Sequence, residues 1–127
     1  MRISGIDHMV ITTENAEVCI AFYTEILGME LDCSKGRIAF RFGNQKINVH
    51  RRKAEYLPAS KNPTVGSVDL CIIAEGSIEE IQTELKNKGA VLETGIVFRN
   101  GAKGKMSSIY LRDPDGNLIE IGVYPEG

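Results

Sequence analysis

Residues 66–74, Gly-Ser-Val-Asp-Leu-Cys-Ile-Ile-Ala, restate the pattern of residues 5–13, Gly-Ile-Asp-His-Met-Val-Ile-Thr-Thr, at an offset of 61. A repeat of this length limits the chain to folds built from two copies of one supersecondary unit, each needing cover for an apolar face. Element order extends the repeat beyond these nine positions. In both copies a strand leads into an amphipathic helix, a glycine ends the helix, and three further strands follow. The two helix-ending glycines, Gly28 and Gly89, keep the same offset.

In the first copy, alternation places Ile6, His8, Val10 and Thr12 on one strand face and Met9 and Ile11 on the other. A helix is predicted from Glu14 to Leu27, its apolar stripe made of Val18, Cys19, Phe22, Tyr23, Ile26 and Leu27, with Gly28 as a left-handed cap. Strands follow at 29–34, at 37–42 with Ile38, Phe40 and Phe42 together, and at 46–50 after the Gly43-Asn44 turn. The proline-containing stretch up to residue 65 is the one long connection. In the second copy Ser77-Ile-Glu-Glu80 is a capping box, and Ile78, Ile81, Gln82 and Leu85 trace the helix stripe. A strand near Val91–Phe98 and a glycine-rich loop, Arg99 to Gly104, precede a closing hairpin turned by Asp113-Pro-Asp-Gly-Asn117. The fold class is α+β: two βαβββ modules forming a curled mixed sheet around a metal-binding cup. They make one domain over 1–127, with module one at about 1–53, a linker at about 54–65 and module two at about 66–127.

Charge and cysteine usage narrow the function classes. A net charge of −2 gives no broad basic field, which argues against nucleic acid and anionic membranes as partners. Apolar runs fall far short of the ~20 residues a membrane span requires. The first eight residues have no signal-peptide apolar core. Three cysteines, an odd number without metal spacing, suit a reducing cytosol, with Cys19 and Cys71 read as buried thiols. A cytoplasmic protein is expected.

Strands that turn one face to helices carry their unusual residues on the other. Those are His8 on the first strand, Asn48 and His50 on the fourth, Asp69 on the fifth and Glu120 on the eighth. Each has an ordinary explanation alone: a core histidine bonded to backbone, a strand-end surface residue, a polar strand start, a carboxylate on a solvated face. Together the two imidazoles and the carboxylates, at symmetric strand positions, form a donor set for a divalent cation with open coordination positions.

Two motifs carry a resemblance. Phe22-Tyr-Thr-Glu-Ile-Leu27-Gly28-Met29 resembles the FYxxxLGM signature of the glyoxalase, bleomycin resistance and extradiol dioxygenase superfamily, the vicinal oxygen chelate proteins. Asp113-Pro-Asp-Gly-Asn-Leu-Ile-Glu120 resembles its C-terminal signature. The resemblance covers the whole chain and implies paired βαβββ modules around a metal. The implied ligands fall on His8, on His50 or Asn48, on Asp69 and on Glu120. His50 is preferred over Asn48 because imidazole is the better transition-metal ligand. Asp69 stands where many members have histidine. Tyr110 resembles the tyrosine that donates to substrate oxygen in extradiol enzymes, and its other reading is a buried sheet aromatic; with Glu120 it forms the implied catalytic pair. Arg99, Lys103 and Lys105 either hold an anionic group or belong to a solvated loop. The implied function is metal-dependent, with Fe, Mn, Ni, Co or Zn chelated by the adjacent oxygens of a small-molecule substrate, in lyase, isomerase or ring-cleaving chemistry. The alternative is a metal-free binder of the bleomycin-resistance type. Relatives of this size imply a homodimer.

Overall fold

A computed structural model describes residues 1–126. The chain divides into two compact units, Met1–Gly66 and Ser67–Gly127. Each is a four-stranded mixed sheet with a helical connection, the α+β class and doubled βαβββ order expected.

The first unit comprises β1 (His8–Thr12), α1 (Ala16–Ala21), β2 (Glu30–Asp32), β3 (Ile38–Phe42) and β4 (Gln45–His50). Spatial order is β1-β4-β3-β2, with β1 parallel to β4 and the other pairs antiparallel. The helix begins two residues later than expected. Asn15 is its N-cap and accepts a hydrogen bond from Val18 N at 3.3 Å, satisfying a donor that the first turn leaves free. It is also not α-helical throughout. Phe22–Ile26 forms a π-helical turn, and Leu27 N donates to Phe22 O across five residues. Two consecutive aromatics of this turn, Phe22 and Tyr23, are buried. Tyr23 stacks on Phe40 at 4.8 Å and meets Phe22 edge-on at 5.0 Å. Val18, placed in the apolar stripe by periodicity, lies outside this cluster and is exposed. Ile11, Ile47 and Val49 complete the buried face.

The second unit comprises β5 (Asp69–Ile73), α2 (Ile78–Asn87), β6 (Val97–Gly101), β7 (Gly104–Arg112) and β8 (Leu118–Val123), in spatial order β5-β8-β7-β6. Ser77 caps α2 by accepting from Glu80 N at 3.3 Å, one half of the expected capping box, while its hydroxyl donates to the Glu79 carboxylate. Ile78 and Leu85 of α2 are buried, as are Ile109, Leu111, Ile119 and Ile121 of the sheet. Gly89 takes φ +85°, the left-handed cap its position requires.

Two expectations change here. The sixth strand is not at Val91–Phe98 but at Val97–Gly101, with only an isolated bridge from Leu92 to Leu111 before it. The glycine-rich stretch is therefore a hairpin rather than a loop. Gly101 pairs with Gly104 across a two-residue turn, so Arg99 and Lys105 become strand residues. Glycine content pointed to a loop, but two glycines spaced by two residues also suit a tight hairpin. Among the described residues no helix is long and apolar enough to cross a membrane.

Candidate active site

The second sheet positions its chemistry by register. Cys71 of β5 and Tyr110 of β7 flank Glu120 of β8, one on each side. All three project to the face opposite Ile119 and Ile121, because side chains alternate along a strand. Arg99 Nε donates to the Tyr110 phenol oxygen at 3.0 Å, which leaves the phenol proton free for another acceptor. Arg99 thus supports Tyr110 from β6, a role that its placement in a loop had obscured.

Glu120 is half-buried, and among the described residues no cation pairs with it. The Cys71 thiol is its hydrogen-bond neighbour. Loss of solvent around the sulfur, then the charges of Glu120 and Asp69, push that thiol up to about 11, so it stays protonated at neutral pH. Cys71 is exposed rather than buried as expected. Its apolar sequence neighbours turn to the other face, whereas it shares one with Asp69 and Glu120. Cys19, by contrast, is fully buried.

One pair further along β7 and β8, Ser108 faces Gly122, and its hydroxyl is buried without a hydrogen-bond partner. The Met106 methyl lies across Gly122: a Cβ there would come within 2.6 Å of it and the methionine side chain would have to shift. At the opposite end Asp69 starts β5 beside Leu118 and is exposed. Arg112, whose charge Asp69 reinforces, is clamped by both oxygens of Glu93 at 2.6 and 3.2 Å.

The first sheet repeats this grid with different residues. His8 pairs with Lys46, Val10 with Asn48 and Thr12 with His50. Middle-strand equivalence therefore matches Val10 and Asn48 with Cys71 and Glu120. Asn48, not His50, is the counterpart of Glu120. The preference for His50 rested on ligand chemistry and could not see register. His50 lies four residues along β4 from the partner of His8, about 13 Å at ~3.3 Å per residue. Its ring meets Tyr56 edge-on at 5.3 Å. The register thus does not bring the two histidines together.

His8 is better prepared than its sequence position suggested. Asp7 Oδ2 lies 2.8 Å from its Nδ1. A carboxylate there accepts the Nδ1 proton, which leaves the Nε2 lone pair outward. That hydrogen bond, followed by the charge of His8, lowers the Asp7 pKa. The signal was present in the sequence as the dipeptide Asp7-His8.

Among the described residues, no three His, Cys, Asp or Glu side chains within either unit converge on one metal position. His8, its Nδ1 beside Asp7, and Glu120, with Asp69 on its own sheet, are each of a donor type that divalent transition metals accept.

The model of the Glyoxalase/Bleomycin resistance protein/Dioxygenase superfamily matches residues 5–121. Virulence protein STM3117 of Salmonella typhimurium is 44% identical over 125 residues, covering 98% of this chain and 87% of that protein. Its crystal structure superposes with a TM-score of 0.95, covering 98% of this chain and all of that one. Glyoxalase domain-containing protein RDO1 of Mycosarcoma maydis is 40% identical, covering 99% of this chain and 72% of that protein. Metallothiol transferase FosB of Shouchella clausii is 25% identical, covering 94% of this chain and 80% of that protein.

Proposed function

Because the chain belongs to the Glyoxalase/Bleomycin resistance protein/Dioxygenase superfamily, we propose that it is a metal-dependent enzyme acting on a small molecule with two adjacent oxygens. The observation that carries this reading is Glu120, a mid-strand carboxylate between Cys71 and Tyr110 with no cation paired to it. A half-buried mid-strand carboxylate whose hydrogen-bond neighbour is a thiol is open to a positive ligand. His8 and Glu120 would hold the metal, with Asp69 as a further donor. The name metallothiol transferase, borne by a relative, supports a metal in this family. A bound divalent metal would supply Lewis acidity to the two substrate oxygens.

The chain's own residues then divide the remaining work. Tyr110, its oxygen occupied by Arg99, directs its proton at a substrate oxygen and donates a hydrogen bond as negative charge grows there. Glu120 is the base within reach of the same face, and Asp7 holds the imidazole of His8 in one orientation. Cys71, held as a thiol, donates to Glu120 rather than acting as a nucleophile. Lyase or isomerase chemistry and ring-cleaving oxygenation both fit this assignment, in a homodimer.

A second reading, a metal-free binding protein, is favoured by one observation. Asn48 stands where a second carboxylate would complete the donor set. Metal analysis of protein purified without chelator or histidine tag separates the two. The enzyme reading expects about one equivalent of transition metal per chain, lost in a His8→Ala/Glu120→Ala double variant. Metal-free protein that still binds small ligands in that variant would establish the binder.

A further inference from the structure

The first sheet carries a hollow that the metal reading does not use. It has a volume of about 250 Å³ and lies wholly within the first unit. Four cationic side chains, Lys35, Arg37, Arg41 and Lys46, line it against one carboxylate, Asp32. Asp32 is already engaged. It accepts from Ser34 N at 2.9 Å and from Arg41 Nε at 2.7 Å, and the Ser34 hydrogen bonds, ahead of that from Arg41, hold its carboxyl well below the usual range.

That leaves Lys35 and Arg37 without a carboxylate partner, and Lys46 with only the charge of Asp7 nearby, in a chain whose net charge is −2. The Arg37 guanidinium carbon lies over the Tyr56 ring, 4.0 Å from its centroid, a cation–π contact that holds the side chain at the hollow. His50 also lines the hollow; it is 8% exposed, and its ring has no hydrogen-bond partner among the described residues. Asn48, half-buried, adds an amide to the same lining. A polar ring open to a concave surface with more cations than carboxylates suits an acceptor-rich anion.

We propose that this hollow binds a small oxyanion group, a carboxylate, phosphate or phosphonate, through Lys46, Arg37, Asn48 and His50. The hollow stands on its own geometry. Its assignment as the subsite for a charged arm of the substrate rests on the functional reading above, since Lys46 pairs directly with His8 on the same face. The enzyme's substrate class is then an oxyanion-bearing molecule whose charged arm lies beside its adjacent oxygens.

The test is titration of the full chain with inorganic phosphate and, separately, acetate, at low ionic strength, followed by amide NMR. Saturable shifts at residues 46–50 are expected for at least one probe, and the preferred probe identifies the group. Lys46→Gln should weaken that binding about tenfold, the loss of one charge-assisted hydrogen bond. Arg37→Gln should do likewise, while Lys105→Gln on the other unit leaves it unchanged. Thermal unfolding of each variant separates lost binding from lost fold. Absence of saturable shifts with both probes, or equal weakening by Lys105→Gln, overturns the proposal. Metal content is read on the same samples. Lys46→Gln that loses phosphate but keeps metal upholds both readings. Wild-type protein that binds phosphate but no metal upholds the oxyanion site and removes its link to metal catalysis.

Discussion

Replacing Asp113 with asparagine preserves shape and should still destabilise the second unit by about 2.5–6 kcal/mol, because its two carboxylate oxygens accept three hydrogen bonds. Asp113 and Asn117 are 4% and 1% exposed at the turn between β7 and β8. Asp113 Oδ1 accepts from Asp115 N and Asn117 N, each at 2.9 Å, and Oδ2 accepts from Asn117 Nδ2 at 2.7 Å. Asn117 Oδ1 in turn accepts from Val68 N at 2.9 Å. An amide at 113 can keep the Oδ1 bonds only by turning its NH2 toward the NH2 of Asn117. Flipping Asn117 moves the conflict to Val68 N, which then faces a donor. One buried donor is stranded either way, at about 1–3 kcal/mol, and a hydrogen bond to a charged acceptor worth about 1.5–3 kcal/mol is lost. Leu118 N also donates to Val68 O, so this network sets the register of β8 on β5 and with it the place of Glu120 beside Cys71. Urea unfolding followed by far-UV circular dichroism gives the stability change. Amide exchange at Val68 and Leu118 should accelerate in the same variant. A loss below about 0.5 kcal/mol, the range of an ordinary surface change, would refute the donor accounting.

Three further outcomes follow from individual groups. Site-resolved alkylation of Cys71 by iodoacetamide should be slow at neutral pH and rise toward about pH 11; Glu120→Gln removes a raising charge and should accelerate it, so identical profiles in the two proteins would contradict the pairing. The Glu55 carboxyl, its side chain 1% exposed, is held below its usual range, chiefly by its hydrogen bond from Arg51. Its stabilising contribution is complete above the ordinary carboxylate pKa and is lost as pH falls through the lowered folded value; Glu55→Gln should flatten acid unfolding in that window, measured by circular dichroism. Asn48→Glu would put a carboxylate inside the cationic hollow, and phosphate binding should fall more than about tenfold by NMR titration, since a like charge replaces a donor.

Much of this fold could be read in the chain because duplication reinforces weak signals. Gly28 and Gly89 gave two helix ends, and strand alternation separated Ile119 and Ile121 from Glu120. The π-helical turn was hidden, since Phe22 and Tyr23 satisfy a helical stripe under either pitch. The β6–β7 hairpin was hidden because glycines mark loops and tight turns alike. Parity correctly grouped His8, Asn48 and His50, but parity cannot rank residues along a strand. Only pairing shows that Asn48 is level with Val10 and His50 with Thr12. Cys71 was misjudged for a related reason: its apolar neighbours in sequence are not its neighbours in space.

The two grids explain why one doubled unit can serve two kinds of group. His8 corresponds to Asp69, Asn48 to Glu120, and Ala39, opposite Asn48, to Tyr110, opposite Glu120. On the first sheet the central carboxylate and phenol are replaced by an amide and a methyl group. The space vacated by the phenol is where Ala39, Asn48 and the cations enclose a hollow. On the second sheet the corresponding space is filled by Tyr110, and Met106 lies across Gly122 farther along the same face. The cations that line the first sheet's hollow have no counterpart carboxylate at the Asn48 position, whereas Tyr110 and Glu120 on the second sheet share their face with one cation, Arg99. The shortened pair, Ala39 and Asn48, is therefore what makes room for an anion within the first unit alone.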